Sequence, residues 1–152
     1  MQPPQQMKQF DRSKSLQQLG WQDWGEATYD SHIVTECHRL RRVPLGEFKV
    51  EDLRITIGQN LGLEYLVPLA LEQLQEDPFT EGTYFPGDLL VSVLGANGEF
   101  WQAHPGLREQ VAAVAERAIS LFPIVPDIAR QTVTNAVTRA YKEFRKRQAK
   151  AP

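Results

Sequence analysis

Four side chains in this sequence are of types that do chemistry near neutral pH: His32, Cys37, His38 and His104. A thiol and an imidazole can form a nucleophile and its base, provided that they face each other. Cys37 and His38 are consecutive, and consecutive side chains on a helix diverge. His32 and Glu36 are one helical turn apart, a spacing that puts two metal ligands on one face. Neither CxxC nor HExxH accompanies them to complete a zinc site. The Walker A loop, GxGxxG and the G-x-S-x-G nucleophile elbow are also missing. Asp88 follows Pro86-Gly87 and reads first as a helix cap. No pair of carboxylates stands out for acid-base work.

The charge distribution says more. Formal net charge is only −2, yet Ile55 to Leu107 contains no Lys or Arg. The same span carries Glu64, Glu72, Glu76, Asp77, Glu81, Asp88 and Glu99. Basic residues crowd the flanks: Arg39, Arg41 and Arg42 on one side, Lys142, Arg145, Lys146, Arg147 and Lys150 on the other. A surface of one sign steers partners of the opposite sign. The competing reading is a solvated face neutralised by arginines folded against it.

Helices must position these groups. Leu63, Leu66, Val67, Ala70, Leu71 and Leu74 recur at i, i+3, i+4, i+7, i+8 and i+11, the apolar face of a helix. Pro68 lies inside this pattern, so a kink and a core position are expected. Val50, Leu53 and Ile57 mark a shorter helix before it, with Glu51 and Asp52 at its positive end and Gly58 or Gly62 closing it. Together they predict a central helical hairpin. Ser15 and Gln18 fit a capping box that opens a short helix ending at Gly20. Trp21 and Trp24 follow, either as loop anchors or as part of a binding surface. Asp30 or Ser31 caps a helix whose apolar side is Ile33, Cys37 and Leu40. After the hairpin, Leu89, Leu90, Val93 and Leu94 form a short buried helix. Leu107, Val111, Val114, Ala118, Leu121 and Phe122 mark a long one, broken at Pro123. Val133, Ala136, Val137, Ala140, Tyr141 and Phe144 mark the last.

No segment alternates with period two, so the fold class is all-α, a bundle of about six to eight helices around the hairpin. A chain of 152 residues with 41% hydrophobic and 24% charged residues suits one domain. The expected division is a disordered 1–14, a helical domain 15–145 and a basic tail 146–152. No apolar run reaches the roughly 20 residues of a membrane span. The amino-terminal residues lack an apolar signal core and the single Cys37 has no disulfide partner, so a cytoplasmic location is expected.

Several pieces carry a resemblance: D-W-G-E at Asp23–Glu26, Y-D-S at Tyr29–Ser31, C-H-R-L-R-R at Cys37–Arg42 and V-E-D-L-R at Val50–Arg54. They continue with I-G-Q at Ile57–Gln59, G-L-E-Y-L-V-P-L-A-L-E at Gly62–Glu72 and E-G-T-Y-F-P-G-D-L-L at Glu81–Leu90. In order and spacing this set is similar to the immunity proteins of bacterial contact-dependent growth inhibition systems, from about Ser15 to Trp101. The first fourteen residues, Gly95–Gly98 and the segment after about Pro123 depart from the pattern. The resemblance implies a non-enzymatic role, and with no metal-ligand or phosphate-loop motif in the residues no metal or cofactor is expected. Its partner would be the carboxy-terminal toxin domain delivered by a neighbouring cell, in many cases a nuclease, whose active site it blocks. The expected toxin-binding residues are Glu64, Glu72, Glu76, Asp77, Glu81, Tyr84 and Asp88, with Phe85 as a further aromatic that core packing also explains. The alternatives are a regulator or enzyme around His32, Cys37 and His38, and a nucleic-acid binder using Arg39, Arg41, Arg42 and the basic tail.

Overall fold

The computed structural model describes residues 10–21 and 32–149, with side chains to residue 147. Trp24, Asp30, Ser31 and the D-W-G-E and Y-D-S pieces fall largely or wholly outside the described residues. Among the described residues there are seven α-helices and no strand. They are α1 His32–Leu40, α2 Val50–Gly58, α3 Leu63–Glu76, α4 Asp88–Leu94, α5 Gly98–Ala103, α6 Pro105–Ser120 and α7 Asp127–Ala149. Single 3-10 turns occupy Leu45–Glu47 and Phe122–Ile124. The all-α expectation holds.

α3 follows its apolar spacing. Leu66, Val67, Ala70, Leu71 and Leu74 have no exposed surface. Tyr65, Pro68 and Leu69 are buried too, so neighbours cover more than one face, and Pro68 sits within a continuous helix. α2 enters it through Asn60 and Gly62, both left-handed (φ 60° and 58°). At Gly62 a Cβ would lie 2.9 Å from Leu16 Cδ2, so glycine meets both the turn and the packing requirement.

The expected hairpin is only part of the centre. α2 packs on α3, but more extensively on α4. α4 also touches α3, α6 and α7. Leu89, Leu90, Val93 and Leu94 are completely buried, which makes this seven-residue helix the hub. A buried helix end needs partners for its free carbonyls. Arg147 supplies them at the far end of α4. Its guanidinium donates to the carbonyls of Leu94 at 3.0 Å, Gly95 at 3.3 Å and Ala96 at 3.5 Å. α7, which carries Arg147, runs to Ala149, so the expected tail from residue 146 includes a docked side chain. Trp101 closes the same end, donating to Ala96 O at 3.1 Å and packing edge-on against Phe144.

The amino-terminal boundary also shifts. Phe10 packs edge-on against Tyr65, and the carbonyls of Arg12 and Lys14 accept bonds from Gly46 and Leu45. Residues 10–14 are thus seated on the domain, where a loose extension was expected. The capping-box bonds between Ser15 and Gln18 form at 2.9 and 3.2 Å, but they close a turn rather than open a helix. Leu16 is the reason: its side chain is fully buried under Gly62, which ties the turn to the core. In α1, Cys37 and Leu40 are buried as expected while Ile33 is 44% exposed.

Replacing Arg147 with Ala leaves the α4 carbonyls short of donors. Urea unfolding should show a loss of about 1–2 kcal/mol, against about 0.5 or less for the exposed Arg139→Ala. Equal effects would remove Arg147 from this role.

Candidate functional site

The chemistry-bearing residues do not converge. Cys37 is 4% exposed, and burial first, then Glu36, pushes its thiol above the ordinary range. A thiol in that state is a poor nucleophile. His32 is exposed, and His104 stacks on Phe100 while its Nδ1 lies 2.9 Å from Phe100 O. No group of three His, Cys, Asp or Glu able to hold a metal occurs among the described residues. No described helix is long and apolar enough to cross a membrane. The arginine cluster is partly committed, with Arg39 paired to Glu36 at 2.6 Å and lying 3.8 Å from Asp52.

The seven acidic-face residues separate into distinct roles. Asp88 is 3% exposed and accepts from the backbone N–H groups of Gly82 at 2.6 Å and Tyr84 at 2.9 Å. It shapes the loop from within and does not present a carboxylate to a partner, which corrects its placement on the surface. Glu72 is bound in a two-pronged pair by Arg12, one bond measuring 2.9 Å. This is the neutralisation by a flanking arginine that the competing reading anticipated. Glu64 is partly buried in the first turn of α3, where a carboxylate suits the helix dipole. Glu76, Asp77 and Glu81 are exposed, and Tyr84 is 68% exposed. Asp77 also accepts from Phe79 N at 2.9 Å, which fixes the turn after α3. Phe85 packs against the core.

Two residues that the acidic-face reading passed over hold this loop. Arg54 forms two bonds to Glu51 at 2.7 and 2.6 Å, lies 3.9 Å from Asp88 and places its guanidinium 4.6 Å from the centre of the Tyr84 ring. Glu51 in turn accepts from Thr83 N at 2.9 Å. At Gly82 a Cβ would come within 2.6 Å of Glu51 Oε1. The loop is therefore clamped between the two carboxylates, with Tyr84 resting on the cation outside them. The (i, i+3) spacing of Glu51 and Arg54 was visible in V-E-D-L-R, but their loop contact joins residues 32 positions apart.

What this end of the molecule offers a ligand is surface: exposed carboxylates and an aromatic ring on a pinned loop. That defines a class of protein that works through complementarity. Residues 18–111, more than half of the chain, match the family model CdiI_3, CDI immunity proteins, and the chain belongs to that family. Its role is accordingly toxin neutralisation, and the family is generally non-enzymatic. No curated protein and no solved structure matches the chain.

Two outcomes follow. Cys37 should resist a disulfide reagent in the native state and react on unfolding; rapid native reaction would restore the thiol as a functional candidate. The Arg54 bond, against opposing desolvation and with help from Thr83, holds the Glu51 carboxyl below its ordinary range. A depressed folded-state pKa gives stability that is present above the unfolded value, about 4.3, and lost as pH falls through the folded value. Wild type should therefore lose more stability than Glu51→Gln on acidification below about pH 4.3. Parallel acid-unfolding curves would contradict the clamp.

Proposed function

We propose that the chain neutralises the toxin domain encoded in the reading frame just upstream by covering that domain's active site with the acidic end. In this reading the toxin is a nuclease. A nuclease binds a polyanion through a basic cleft, and an anionic protein surface fits the same cleft. The pairing would take place in the cytoplasm, where such a toxin finds nucleic acid.

The supporting observation is the exposed group Glu76, Asp77 and Glu81 on a stretch without Lys or Arg. Glu76 stands in the last turn of α3, at the negative end of its dipole. A carboxylate there weakens the helix that carries it, and a basic partner would turn that cost into attraction. Arg117 relieves part of it by donating to Gln75 O at 2.7 Å. Tyr84, resting on Arg54, supplies a rigid aromatic contact beside the carboxylates.

Reversing two charges, Glu76→Lys with Glu81→Lys, tests this with the upstream-encoded domain as partner. Stopped-flow association at low ionic strength should slow about tenfold or more, with a flatter dependence on salt. An unchanged association rate would overturn the acidic placement.

A further inference from the structure

We propose that the acidic end includes an apolar anchor site, built on the turn that leads into α7, which takes an aliphatic or aromatic side chain flanked by Lys or Arg on the toxin domain. It rests on the binding reading above and adds the contact that would govern dissociation. Ile124 and Ile128 are 70% and 97% exposed. A cleft of about 310 Å³ is lined by Ile124 and Pro126 together with Asp77, Phe79 and Glu81 of the acidic loop. Ile124 and carboxylates thus share one concavity, while Ile128, four residues further on in α7, stands outside its lining.

The cleft is held open by its surroundings. The Phe79 and Phe122 rings lie 6.4 Å apart and join the loop to the turn before α7. Arg130 donates to Val125 O at 2.8 and 3.1 Å and to Pro123 O at 3.0 Å, which fixes the turn that carries Ile124. Val125 itself is 3% exposed and roots that turn in the core. A preformed pocket loses little entropy when a side chain enters. Charge selects the occupant. Asp77 and Glu81 at the rim disfavour an acidic neighbourhood and favour a basic one around the incoming side chain. Asp127 pairs with Arg130 at 2.7 Å on the exposed surface and does not line the cleft. Ile124 and Ile128 lie beyond residue 111, where the family match ends, so the site joins acids inside that match to apolar groups outside it.

The test uses the full chain with Ile124→Ser and Ile128→Ser, singly and combined, titrated by calorimetry with the upstream-encoded toxin domain. Both side chains are largely in solvent, and an unchanged unfolding midpoint confirms that the fold survives. The dissociation constant of the double variant should rise about tenfold or more, while its salt dependence stays that of wild type. Wild-type binding with the double variant within about twofold overturns the anchor and leaves the binding reading intact. A wild-type chain that does not bind the domain overturns both. Self-association in sedimentation that the double variant abolishes would assign the cleft to a second copy of this chain and also overturn the proposal.

Discussion

A helix buried at the centre of a domain must have its terminal polar groups satisfied by protein, and α4 imposes that demand on everything around it. Its seven residues touch α2, α3, α6 and α7. At its carboxy-terminal end the guanidinium of Arg147 meets three carbonyls. At its first residue, Asp88, the carboxylate turns inward and gathers the N–H groups of Gly82 and Tyr84. Arg54 and Glu51 then complete the arrangement from α2. One short helix thereby fixes both the loop before it and the helix that ends the chain.

The surface inherits its rigidity from those fastenings. Residues 77–87 form a loop without regular structure apart from one isolated bridge between Glu81 and Pro86. Even so, Asp77, Asp88 and Glu51 each bind a backbone N–H within it. Exposed side chains on such a loop are presented in one arrangement, which suits recognition by complementary shape and charge. α7 is pinned near its end by Arg147 and along its length by Val133, Val137 and Phe144, and the turn that leads into it, residues 124–126, lies beside the same loop. The fold thus sets acids from the middle of the chain next to aliphatic groups from its last third.

Much of this was legible in the residues. Helices α3, α6 and α7 appear where apolar positions repeat at 3.6, because a face that meets the core must be apolar along its length. The immunity-family resemblance was carried by short strings from about Ser15 to Trp101, a span that overlaps the family match at residues 18–111. What could not be read was which charge meets which. Arg12 and Glu72 are 60 positions apart, and no local pattern announces their pairing. Asp88 was grouped with the acidic face, yet its two backbone bonds draw it inside. The tail looked like a fraying basic segment because composition does not reveal that Arg147 has carbonyls waiting for it. Ile124 lay between Pro123 and Pro126, in a stretch that the helix patterns left unassigned, and Ile128 was not among the apolar positions that marked the last helix.

The central claim is that toxin recognition uses the end of the molecule where the acidic loop meets the turn that leads into α7. Amide hydrogen exchange, measured on the full chain alone and with the upstream-encoded toxin domain bound, addresses it most directly. New protection should concentrate in residues 76–86 and 122–128, with α1 and the distal half of α7 unchanged. Protection confined to α1 or to residues 139–147, with the acidic loop exchanging as in the free protein, would contradict it.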